Sequence, residues 1–208
     1  MKYFYAAFIF LIFLFGCSQN NKNIQKNNIE SCCDTSAKNG SGKNEQLALG
    51  SIFNLKDSFT TQDNNAFTLS QLNGKPTVIG MIFTHCTFAC PKLTGDIKSI
   101  ETALKTNEGK VNFVLVSFDS DRDDAARLKS FSKEMGLNSN WILLHGNKET
   151  VRTLSVLLNV QFEKDADGNF SHSNLISILD KKGVLQYQKE GLGAEQTTTI
   201  KTIQTLVN

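Results

Sequence analysis

Seven consecutive uncharged residues, Thr77-Val78-Ile79-Gly80-Met81-Ile82-Phe83, lead into a segment with two cysteines and a proline, His85-Cys86-Thr87-Phe88-Ala89-Cys90-Pro91. An apolar run of this length has no outward polar face, so it reads as a strand covered on both sides. Proline suits the start of a helix, and Leu93, Ile97, Ile100 and Leu104 then recur at helical spacing. The chain thus contains a β-loop-α unit with its cysteines at the switch from strand to helix, which argues for an α/β architecture.

The alternation continues. Val111 to Phe118 reads as a second buried strand, followed by the acidic loop Asp119 to Asp123. A helix then carries Ala125, Leu128, Phe131 or Ser132, and Met135, with Gly136 placed to end it. Trp141 to Leu144 is a short strand, and Val151, Leu154 and Leu158 mark a third helix. Leu175 to Leu179 and Val184 to Gln188 form a hairpin about Lys181-Lys182-Gly183, and Ile200, Ile203 and Leu206 place a last helix. Ahead of all this, Phe59 to Gln62 and Ala66 to Leu69 flank Asp63-Asn64-Asn65 as a small N-terminal β-hairpin. The order β-α-β-α-β-α-β-β-α, with a cysteine pair at the first junction, is the thioredoxin-like arrangement.

The first residues belong to another class. Tyr3 to Gly16 is an unbroken apolar run behind Lys2, too short for a permanent transmembrane helix and matching a signal-peptide core. Leu14-Phe15-Gly16-Cys17 resembles the bacterial lipoprotein box, in which the cysteine is acylated and becomes the mature N-terminus. Residues 1–16 are therefore expected to be a leader, and residues 17–46 a lipid-anchored spacer rich in Asn, Lys, Ser and Gly. The spacer holds Cys32-Cys33, read as incidental thiols because no histidine or further cysteine lies close by. The folded domain is expected over 47–208, exported and facing the periplasm or exterior of a bacterial cell envelope. A net charge of +2 gives no basic footprint, so no nucleic-acid partner is expected.

The chemistry concentrates at the cysteines. A thiol at a helix N-terminus faces unpaired N–H groups and the positive end of the helix dipole, which favours thiolate, the form needed for metal binding and for disulfide exchange. Three residues separate Cys86 from Cys90, one more than in a redox thioredoxin, a spacing that lets both sulfurs aim at one ion. Two thiolates with an imidazole select copper over hard cations. Of three histidines, His85 adjoins Cys86 but should point away from it, and His145 ends a strand in a solvated or capping role. His172 lies just before the Leu175 strand, where thioredoxin-like proteins place a cis-proline facing the cysteines; here Asn174 occupies that proline position.

These features resemble the Sco/SenC family of exported copper-handling proteins, which help mature the dinuclear copper centre of cytochrome c oxidase. The segments that carry the resemblance are Cys86-x-x-x-Cys90-Pro91, Ser117-Phe118-Asp119-Ser120-Asp121-Arg122-Asp123, and His172-Ser173 ahead of Asp180, within about Leu47 to Asn208. The resemblance implies copper, as Cu(I) or Cu(II), on Cys86, Cys90 and His172. It also implies delivery to the copper-bearing oxidase subunit, the upstream donor being left open. Two positions depart from the family pattern: Ser120 stands where proline is usual, and Thr87-Phe88-Ala89 lacks a frequent acidic residue.

Each feature has a plainer counterpart. Cys86 and Cys90 also suit a redox pair, which would make the chain a thiol-disulfide reductase, or a structural disulfide. A thiol peroxidase would need a threonine and arginine about an activated cysteine, and Thr87 is not in the usual position. Asp119, Asp121 and Asp123 are expected mainly to cap the following helix, with Arg122 solvated or ion-paired. Phe88 is either a partner contact or a cover over the sulfurs.

Overall fold

The computed structural model describes residues 48–104 and 109–208. The expected leader, the expected acylation site Cys17 and the spacer with Cys32-Cys33 lie outside the described residues. A central sheet is assembled from β1 (Phe59–Thr61), β2 (Ala66–Phe67), β3 (Thr77–Ile82), β4 (Asn112–Ser117), β5 (Trp141–His145), β8 (Leu175–Leu179) and β9 (Leu185–Glu190). Helices α1 (Ala89–Ala103), α2 (Ala125–Glu134), α3 (Lys148–Leu157) and α4 (Thr197–Val207) alternate with them, and β6 (Phe162–Lys164) with β7 (Phe170–His172) forms a separate two-stranded sheet.

The seven strands lie in the order β2-β1-β5-β4-β3-β8-β9. β3 runs parallel to β4 and β4 to β5, whereas β8 is antiparallel to β3 and β1 to β5. Parallel neighbours need helical crossovers, which is why the central strands are apolar on both faces: all six residues of β3 are buried. The result is a thioredoxin-like α/β fold with an N-terminal β-hairpin, as the sequence pattern predicts.

α1 packs directly over Gly80, where a Cβ would sit 3.1 Å from Ile97 Cδ1 and 3.5 Å from Leu115 Cδ2, so any larger residue would push the Ile97 side chain aside. Leu93, Ile97 and Ile100 are fully buried against the strands, and burying each such side chain contributes about 1.5–3 kcal/mol. That packing fixes where the first turn of α1 emerges. α2 ends as predicted, with Gly136 at φ +60° just beyond it.

Three expectations need correction. α1 begins at Ala89, two residues before Pro91. The acidic loop does not cap α2: the cap is Asp124, whose side chain accepts from Arg127 N. And the β6–β7 hairpin was not anticipated at all, because three-residue strands are too short to show a period.

Candidate metal centre

β3 ends at Ile82, and the chain turns through Phe83-Thr84-His85-Cys86, closed by a hydrogen bond from Cys86 N to Phe83 O of 3.3 Å. Phe88, at the N-cap of α1, offers no side-chain acceptor. The sulfur of Cys86 takes that role and accepts from Cys90 N at 3.3 Å. Cys90 is 0% exposed, and its sulfur accepts from Phe83 N at 3.4 Å. Among the described residues both cysteines are free thiols, Cys86 half-buried and Cys90 buried.

The expectation of a thiolate at the helix start is overturned for Cys90. Burial pushes its thiol well above the ordinary range, the neighbouring Cys86 sulfur adds to the rise, and the single N–H from Phe83 does not offset them. Cys90 therefore keeps its proton until something displaces it.

His172 closes β7 and brings an imidazole over the sulfurs. Its Nδ1 lies 3.1 Å from Ser173 O, a group that only accepts, so Nδ1 carries the proton and Nε2 presents a lone pair. That Nε2 is 3.8 Å from Cys90 Sγ. One ligand atom from each of Cys86, Cys90 and His172 lies within 4.8 Å of the others. Burial holds the ring below its ordinary pKa, with the Ser173 bond working the other way, so the neutral, ligating form is favoured.

Packing holds the imidazole there. Its ring centroid is 5.0 Å from that of Phe118 and 6.0 Å from that of Phe83, the latter edge-on. Phe170 lies tilted 5.1 Å from Phe83 and edge-on 5.0 Å from Phe118, and Phe162 stacks on Phe118 at 5.0 Å. These rings come from the ends of β3 and β4 and from both strands of the hairpin.

The acidic loop is the hub that joins these pieces. Asp119 pairs with Arg122, whose other end donates to Gly168 O in the hairpin turn. Asp121 lies 2.7 Å from Lys148 and 3.1 Å from Lys164, and those cations hold its carboxyl below the usual range. Asp123 is buried and accepts from Thr84 and Ser117. Spacing alone could not separate this hub from a capping role; the signal available was the alternation of acids at 119, 121 and 123 immediately after a buried strand.

The other histidines stand apart. His85 is exposed, 3.5 Å from Asp123, and groups with Asp119 and Asp123 rather than with the thiols. His145 lies in β5 opposite Thr60, where burial lowers its pKa. No peptide among the described residues is cis, and Asn174 sits at the position where the redox branch carries proline.

Comparison with known proteins agrees with this arrangement. A family model described as SCO1/SenC matches residues 43–208. The SCO1 protein homolog of Bacillus subtilis is 29% identical over 93 residues, 44% of this chain and 48% of its own length, so the chain spans about half of that curated relative. Among solved structures, a SCO1/SenC family lipoprotein from Bacillus anthracis superposes with a TM-score of 0.68 at 27% identity, covering 73% of this chain and 93% of the other. ScoI of Bradyrhizobium japonicum, solved with copper bound, gives 0.63 at 25% identity, covering 72% and 96%. With the match running through the cysteine loop, the acidic hub and the histidine hairpin, the chain belongs to the SCO1/SenC family.

Proposed function

We propose that this chain is a membrane-tethered copper chaperone that binds the ion through Cys86, Cys90 and His172 and passes it to the copper centre of cytochrome c oxidase. The observation that carries the reading is the meeting of two free thiols and a lone-pair-bearing Nε2 within 4.8 Å of one another. Such a set is soft and incomplete in coordination, and it suits copper as cargo. Coordination displaces the Cys90 proton, so uptake releases acid, and apparent affinity rises by about tenfold per pH unit for that thiol. Half-buried Cys86 is the sulfur an incoming ligand reaches first, and transfer proceeds by exchange of thiolates on the ion. Acylation at Cys17 after removal of residues 1–16 would hold the domain at the outer face of a bacterial membrane.

The test is copper stoichiometry and the thiolate-to-Cu(II) absorption of the purified protein. Cys86→Ser or Cys90→Ser should each abolish tight binding and the absorption, whereas His172→Ala should keep Cu(I) on two thiolates and lose stable Cu(II). Full retention in either cysteine variant would refute the assignment. Mass measurement of the mature N-terminus checks the anchor: an unmodified Cys17 would remove it.

One observation favours a second reading, a reductase acting on the cysteines of the oxidase copper site: an accessible Cys86 backed by a buried Cys90 in the next turn. Cys86 thiolate would attack a substrate disulfide, releasing one substrate thiolate. Cys90, losing its proton, would then attack Cys86 Sγ and release the other, so two electrons pass from the pair to the substrate. That activity should survive His172→Ala.

A further inference from the structure

The residue two before Cys86 is tied to the rest of the molecule more heavily than a loop requires. Thr84 N donates to Asp123 Oδ2 at 2.9 Å, and Thr84 Oγ1 donates to Asp123 Oδ1 at 2.5 Å. Arg127 Nε donates to the same hydroxyl oxygen at 2.9 Å, and Arg127 Nη2 to Thr84 O at 3.1 Å. The backbone donor, the backbone acceptor and the side chain of one residue are all engaged by groups about forty positions away. The hydroxyl direction is forced: a guanidinium only donates and a carboxylate only accepts, so the proton must face Asp123. Asp123, 2% exposed, is braced in turn by Ser117 Oγ at 2.6 Å, and Arg127 by Glu134 at 2.7 Å.

We infer that Thr84, bridging Asp123 and Arg127, is a positioning residue that locks the Cys86 loop in its metal-ready geometry before an ion arrives. Thr84 cannot rotate without breaking charge-assisted bonds, and the turn from Phe83 O to Cys86 N closes directly across it. The sulfur that caps α1 is therefore placed by a network rooted in β4 and α2. Groups that orient metal ligands from behind commonly change affinity by about 10–100-fold when removed. The inference rests on the copper-binding reading of the site, and its test includes an arm without copper.

In the full-length reduced protein, Thr84→Val and Arg127→Met are compared with Thr84→Ser and with Ile203→Val, a core change in α4 outside the Thr84 network. Cu(I) affinity is read by competition with a chromogenic chelator. The alkylation rate of Cys86 by iodoacetamide, in a Cys17→Ala, Cys32→Ala, Cys33→Ala background, reads loop order with no metal present. Thr84→Val and Arg127→Met should weaken Cu(I) by about 10–100-fold and speed alkylation several-fold. Thr84→Ser should return both to the wild-type range, and Ile203→Val should lower the melting temperature while moving neither. Because Arg127 reaches solvent, its variant keeps the question open to refutation should Thr84→Val fail to fold. Wild-type alkylation and affinity in both variants, or equal changes in Ile203→Val, would overturn the inference. A wild-type protein that binds no copper would refute the chaperone reading, and the alkylation arm would still decide this one.

Discussion

Cys90 is fixed by the interior, in the first turn of a helix pressed onto the sheet at Gly80, with its sulfur bonded to the backbone of β3's exit. His172 rides instead on a two-stranded hairpin outside the main sheet, packed against Phe83 and Phe118 and tied to the acidic loop by Arg122 and Lys164. The first attachment cannot move without opening the core. The second rests on ring packing, which is non-directional, on a solvated pair to Asp121, and on a directed tie from buried Asp119 through Arg122 to Gly168 O. Under the proposed chaperone reading, this difference suits separate duties: the thiols retain the ion, and the imidazole is the first ligand to yield to a partner.

The largest way to break that contrast is Phe118→Ala. Phe118 touches Phe83, Phe162, Phe170 and His172, and removing a buried ring of this kind costs about 3–5 kcal/mol. Denaturant unfolding should show the loss, and the surviving protein should behave like His172→Ala, binding Cu(I) without stable Cu(II). A Cu(II) spectrum identical to wild type would show that the hairpin does not depend on this packing.

Acid offers a milder probe. His172 prefers its neutral form in the folded protein, whereas the unfolded chain takes up the proton at about pH 6.5. Its contribution to stability is therefore complete above that pH and is lost as pH falls from there through the lowered folded value. His145 is shifted the same way by burial and acts in the same window. Unfolding curves at pH 7.5 and 5.5 should differ less for His172→Gln than for wild type; an unchanged pH dependence would mean the ring is not held neutral. The smallest effect is expected from Asp121→Asn, whose half-exposed carboxylate pairs with Lys148 and with a Lys164 that still faces Asp119. Its melting temperature should move barely beyond detection, and a large drop would show that ion pairs rather than rings secure the hairpin.

Much of this contrast is legible in the sequence, but unevenly. The interior half declares itself through the apolar run before Cys86 and the helical spacing of Leu93, Ile97 and Ile100, since burial on both faces leaves no freedom in composition. The hairpin half does not. Phe162-Glu163-Lys164 and Phe170-Ser171-His172 form only three residue pairs, too few to show a period, and their pairing is a tertiary fact. His172 was identifiable only by its place just before the Leu175 strand and by family resemblance. The acid loop misled because capping and buried hydrogen bonding demand the same residue types, and only burial separates Asp123 from Asp124. Cys90 misled similarly: its helix terminus was visible, its desolvation was not.

The central claim, that copper is held by the reduced thiols of Cys86 and Cys90 with His172, is tested most directly by the melting temperature of the protein with and without Cu(I), under anaerobic conditions. A ligand that binds only the folded state at about 1,000 times its dissociation constant adds about 4 kcal/mol. For a protein of this size that corresponds to a rise of roughly 8–16 °C. Oxidising Cys86 and Cys90 to a disulfide removes both thiolates, so the same copper should then give little shift. A negligible rise in the reduced protein, together with rapid disulfide exchange that persists in His172→Ala, would contradict the account and make the reductase the primary function.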